Sequence, residues 1–138
     1  MKSFARWALL SSSVLCQCSL GPSATQKAEA GRISHAIDVL RDAPNPQKSE
    51  LFAALQSAPC ETPDLCELKR VCVTGYAQHL HGLEETARAK ALLAGSNAEA
   101  ATSAIAALGA AQTALAQAEP QIAHCTDAQG AAHRKYKF

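Results

Sequence analysis

Two rows of residues spaced by seven run side by side through the last third of the chain and fix what it can become: Ala101, Leu108, Leu115 and Ile122 in one, Ala104, Ala111, Ala118 and Cys125 in the other. Seven residues are two turns of α-helix, so the rows share one side and form a seam that has to face another helix. A matching set lies upstream. Leu68, Gly75, Gly82 and Ala89 recur at seven, with Leu65, Cys72, His79, Thr86 and Leu93 beside them. Between the two segments stands Gly95-Ser96-Asn97. A reversal this short makes the helices antiparallel neighbours, with Gly95 as the left-handed residue and Ser96 or Asn97 capping the helix that follows. The expectation is an all-α fold whose centre is an antiparallel hairpin over about residues 62–94 and 97–126. Pro120 predicts a kink or restart near the end of the second arm.

Composition supports helices over sheets. The chain is 48% hydrophobic but only 4% aromatic, so its apolar content is largely alanine with some leucine. Alanine favours helix and has little surface to bury, which suits closely packed helices. Glycine inside a helix costs about 1 kcal/mol against alanine, so Gly75 and Gly82 call for a reason, either close backbone approach or a groove for a ligand.

Two shorter helices precede the hairpin. From about Gln26 to Arg41, Ala30, Ile33, Ile37 and Leu40 make one buried stripe. Pro44 ends that helix, and Asn45 can cap a second one whose first position is Pro46 and whose inner side carries Leu51, Ala54, Leu55 and Ala58 before Pro59 stops it. Thr62 then caps the long third helix, with Pro63 at its first position and Asp64 and Glu67 near the positive end of its dipole.

The first residues read as an export signal. Lys2 and Arg6 precede an apolar run containing Trp7, Leu9, Leu10, Val14 and Leu15, too short to span a bilayer and of secretory proportions. Residues 1–24 are read as signal peptide and short tether, and 25–138 as a single helical domain of about 115 residues. A lipid anchor at Cys16 or Cys18 is the weaker reading, because Leu15 and Gln17 stand where a small residue is needed. Export places the body of the chain in an oxidising compartment, periplasmic, membrane-anchored or secreted.

Four body cysteines then allow three pairings. Cys66 with Cys72 is the weakest, since six residues apart on one helix they face different ways. Reflection about the turn would set Cys66 opposite Cys125 and leave Cys60 with Cys72, about 13 Å beyond the helix start. Cys72 and Cys125 both fall on seam rows and Cys66 does not, which favours Cys60 with Cys66 and Cys72 with Cys125.

Nothing in the sequence converges as a catalytic site. His79 and His81 point to different sides of a helix, Glu84, Glu85, Arg88 and Lys90 read as a solvated face, and no HExxH, paired CxxC or glycine-rich phosphate loop occurs. No cofactor is expected. A net charge of +1 gives no field to recruit nucleic acid or acidic lipid. The basic, aromatic ending His133 to Phe138 reads as helix-end charge before a docking patch. The expectation is a non-enzymatic exported protein that binds a protein partner in the cell envelope or outside the cell, touching membrane only through a lipid anchor. The alternative is a bundle that binds a small molecule or a metal ion at Gly75, Tyr76, His79 and Gly82.

Overall fold

A computed structural model describes residues 21–95 and 97–138. The signal segment with Cys16 and Cys18, and Ser96 as a capping candidate, lie outside the described residues. The order is α1 (Ala24–Asp42), a 3-10 turn (Asn45–Gln47), α2 (Lys48–Ser57), α3 (Pro63–Leu93) and α4 (Ala98–Tyr136). The two long helices pack along each other, as the rows of seven require, and α1 and α2 lie against one end of them.

That end holds the core. Ile33, Ile37 and Leu40 from α1, Leu55 from α2, Leu65, Leu68, Val71, Cys72 and Tyr76 from α3, and Cys125, Ala132 and Tyr136 from α4 make one buried cluster. The predicted α1 stripe is buried as expected. On α2 the inner side is instead Lys48 and Leu55, with Leu51 and Phe52 half-buried and Ala54 exposed. Both predicted bridges are present: Cys60 to Cys66 with Cα atoms 5.4 Å apart, and Cys72 to Cys125 at 4.7 Å.

Several ends differ from expectation, each for a local reason. Helix α1 begins inside the expected tether because Ser23 and Gln26 form a capping box: Ser23 Oγ accepts from the Gln26 amide and Gln26 Oε1 from the Ser23 amide. Asn45 does not cap α2; it sits in the 3-10 turn that leads into Lys48. Thr62 stands at the α3 N-cap, but its hydroxyl donates to Glu29 rather than accepting from its own helix. Gly95 is not left-handed, because α3 closes by tightening, with the Ala94 and Gly95 amides bonding back to Ala91 and Leu92. Asn97 caps α4, accepting from the Ala100 amide at 2.7 Å.

Helix α4 runs ten residues beyond the expected end at 126. Pro120 is exposed and α4 runs through it without the expected restart, although a proline has no amide to give to the ladder. The last turn is then held from outside: Tyr136 Oη donates to Asp64 Oδ1 at 2.7 Å and Lys135 Nζ reaches Oδ2 at 2.6 Å. Lys137, left-handed at φ 52°, ends the helix, and Phe138 folds back edge-on to His133.

Helix ends elsewhere are also closed by side chains from other elements. The buried Glu29 carboxylate on α1 accepts from the Glu61 and Thr62 amides and the Thr62 hydroxyl, at 2.6, 3.1 and 2.7 Å, and so caps α3. Lys48 of α2 donates to the Leu40 and Arg41 carbonyls at the end of α1, and Lys69 of α3 to the Ala58 carbonyl at the end of α2.

Candidate interaction surface

Beyond this closed base the long helices continue as an arm. The core cluster has no member between Tyr76 and Cys125. Among the described residues from Gly82 to Ala114 the buried positions are Gly82, Ala89, Ala104, Ala107, Ala111 and Ala114, all glycine or alanine. Residues this small let two helices lie close along their length, at the expense of buried apolar area per turn. At Gly75 a Cβ would come within 3.0 Å of the Gln121 backbone carbon and 3.1 Å of the Ile122 nitrogen; at Gly82 it would meet Leu115 Cγ at 2.6 Å. Close approach is therefore the reason for both glycines.

The seam uses only one of the two rows read from α4. Ala104, Ala111, Ala118 and Cys125 are buried, and Ala107 and Ala114 join them. Ala101 and Leu108 are exposed and Leu115 and Ile122 half-buried. On α3 the row beginning Leu65 and Cys72 likewise leaves the seam, His79 being half-buried and Thr86 and Leu93 exposed. A straight helix drifts about 20° per heptad against a seven-residue repeat, and over the length of this hairpin that drift carries the second rows away from the contact.

The exposed part of the second α4 row, Ala101 and Leu108, forms with Ile105 an apolar stripe that no described residue covers, and Leu115, partly packed against Gly82, closes it. Ala101, Ile105, Leu108 and Leu115 follow one another at spacings of four, three and seven, about 100° around the helix from the alanine seam. Ile105 is 70% exposed and Leu108 46%. At the tip of α3, Leu93 is 59% exposed. No charged residue occurs in the nineteen positions from Ala100 to Ala118. Solvated helices ordinarily carry charge on the outer face, as α3 does here with Glu84, Glu85, Arg88 and Lys90. An outer face built from Ile, Leu, Ala, Ser, Thr and Gln is one that can be dehydrated cheaply, because burying it strips water from no ion.

The four residues considered as a ligand site do not line one space. Gly75 and Gly82 face α4, which fills the room beside them. Tyr76 is buried near Arg41, but Arg41 donates to Gln129 and Asp38, and among the described residues the phenol oxygen meets no partner within hydrogen-bond geometry. Burial raises the Tyr76 pKa, with Arg41 pulling the other way. His79 is half-buried; burial first, then the charge of Lys48, lowers its pKa and favours the neutral ring. Among the described residues no group of three His, Cys, Asp or Glu side chains is placed to hold a metal ion.

A cleft of about 250 Å³ at the base, between α3 and α4, is lined by Asp64, Glu67, Val71, His124 and Lys135. Asp64 there is engaged by Lys135 and Tyr136, and Glu67 by Arg70 at 2.5 and 2.7 Å. A buried polar group that the sequence does not announce joins α4 to α1: Gln129 donates to Ser34 Oγ at 2.6 Å and to Asp38 Oδ1 at 2.9 Å. An isolated glutamine near the end of a helix gives no signal for such a role.

No family model, no curated protein and no solved structure matches this chain. No described helix is long and apolar enough to cross a membrane.

Proposed function

We propose that this is an exported, disulfide-stapled helical protein that acts by binding a protein partner through the charge-free flank of α4, and not by catalysis. The observation that carries the reading is the run from Ala100 to Ala118, nineteen residues without a charge, with Ile105 and Leu108 open to solvent. Contiguous exposed apolar surface on an otherwise closed domain marks interaction sites. Export is supported by the basic and apolar start of the chain and by two bridges that suit an oxidising compartment.

Two measurements test this. A benzophenone amino acid placed at Leu108, compared with the same group at Lys27 or Glu84, is irradiated in the producing cells. A discrete adduct at Leu108 alone supports the assignment; adducts at Lys27 or Glu84 and none at Leu108 overturn it. For export, intact mass after alkylation without reductant should show loss of about the first 15 to 24 residues and four unmodified body cysteines. The intact N-terminus with reactive thiols in a cytosolic fraction would overturn that half.

A further inference from the structure

We infer that the occupant of the α4 flank is a second copy of this chain, paired antiparallel across a two-fold axis so that two arms close into a four-helix bundle. The inference rests on the flank being a binding surface and adds what binds there.

Three observations choose this partner. The first is position. A helix in a four-helix bundle touches two neighbours and carries two apolar stripes about a quarter-turn or more apart. Helix α4 has two such stripes; α3 covers the row through Ala104, Ala111 and Ala118 and, at Gly82, part of Leu115, which leaves Ala101, Ile105 and Leu108 open. The second stripe keeps coiled-coil spacing, Ala101, Ile105, Leu108, Gln112 and Leu115 at alternating steps of four and three.

The second observation is self-complementarity. An isologous contact needs a surface that fits itself after a half-turn. With the axis between Ala106 and Ala107, Ile105 meets Leu108 of the second copy, Ala101 meets its Gln112 and Ala98 meets its Leu115. The two largest side chains pair at the centre, and farther out each large residue faces an alanine. With no charge from Ala100 to Ala118, no like charges meet at any of the central layers. A partner marked by its charge would find no counter-charge between Ala100 and Ala118, whereas the same stretch of a second copy is uncharged and apolar as the stripe requires.

The third is area. Ala98 to Leu115 spans about 27 Å of helix, and one helix is about 10 Å wide, giving each copy a strip of roughly 270 Å² in projection. A strip of that size belongs with small, reversible interfaces, which suits exchange between monomer and dimer rather than a permanent pair.

The test uses the full chain made in an oxidising compartment. Sedimentation across roughly 1–100 µM, the range expected of a modest interface, should show reversible doubling of mass. Ile105→Glu and Leu108→Glu, both at exposed positions outside the seam, should each return the monomer with unchanged helical circular dichroism and raise the dimer dissociation constant at least ~tenfold. A benzophenone at Ala101, exposed and on the stripe opposite Gln112 of the second copy, should give an adduct of twice the chain mass. A dimer that survives both glutamate variants would place the interface elsewhere and overturn the inference. A monomer at every concentration, with the Leu108 probe capturing a different protein in cells, would overturn the second copy while leaving the flank a binding surface. A monomer with no adduct at Leu108 would overturn both.

Discussion

Tyr136 donates its hydroxyl to Asp64 across 72 residues of sequence, so the last turn of α4 is fixed to the first turn of α3. The phenol ring is 1% exposed, inside the core, while Asp64 remains about half exposed at its edge. Tyr136→Phe keeps the ring and removes the bond, which should cost about 1 kcal/mol given the wet carboxylate. Tyr136→Ala empties the core position and should cost about 3–5 kcal/mol. Chemical denaturation midpoints measure both, and equal losses would mean that the hydroxyl, not the ring, anchors the helix.

Acid should loosen the base before the arm. Burial opposes ionisation of Glu29, yet the Thr62 hydroxyl and the Glu61 and Thr62 amides outweigh it and hold its pKa below the ordinary 4.5. Asp64 is held below 3.8 in the same way, burial opposing and Lys135 and Tyr136 prevailing. A carboxylate whose pKa is depressed by folding binds more protons when unfolded, so its contribution is complete above the ordinary value and fades as pH falls through the folded one. Stability should therefore decline from about pH 4.5 downward. Glu29→Gln, which turns an amide donor towards the Thr62 donors, should cost about 1–3 kcal/mol at neutral pH and flatten that decline. Melting temperatures from pH 7 to 2.5 check the slope.

The two seam glycines should respond in an order opposite to their closest distances. Gly75→Ala meets backbone of α4, which cannot step aside, whereas Gly82→Ala meets Leu115 Cγ and Cδ2, which a change of rotamer at this half-buried residue withdraws, with the Ala111 carbonyl oxygen 3.3 Å away. Overpacking costs about 1–3 kcal/mol and alanine returns about 1 kcal/mol of helix propensity. Gly75→Ala is expected to lower the melting temperature and Gly82→Ala to leave it nearly unchanged. A greater loss at Gly82 would mean that Leu115 is locked.

The bridges differ in reach. Cys72 to Cys125 spans 53 positions and Cys60 to Cys66 six, which in the loop-entropy picture restricts the unfolded chain by about 4 and about 2 kcal/mol. The longer bridge also lies in the core, with both cysteines buried. Cys72→Ser with Cys125→Ser should melt well below Cys60→Ser with Cys66→Ser; comparable melting would argue that the unfolded chain is already compact around the longer bridge.

The parts legible in the sequence were those set by repetition and by chain-local chemistry. Rows of seven located α3, α4 and their pairing, and seam membership of Cys72 and Cys125 chose the bridges. Long-range capping was not legible. Thr62 in a favoured N-cap position looks self-sufficient, and no local pattern says that Glu29, more than thirty residues earlier, takes its place. The α4 end was missed for the same reason, because what holds its final turns is Asp64 on another helix. The stripe through Ala101 and Leu108 was visible as a repeat, but sequence alone could not say that α3 would cover only its neighbour, since that depends on how far the two helices drift out of phase.

The Cys72 to Cys125 bond stands where the arm leaves the base, and every residue from Val73 to His124 lies within the loop it closes. Tension applied between Ser23 and Tyr136 passes from one sulfur to the other and never enters that loop. Such a load could pull α1 from the base while the arm stayed slack and folded, and only after reduction would the chain lengthen by the 52 residues held in reserve.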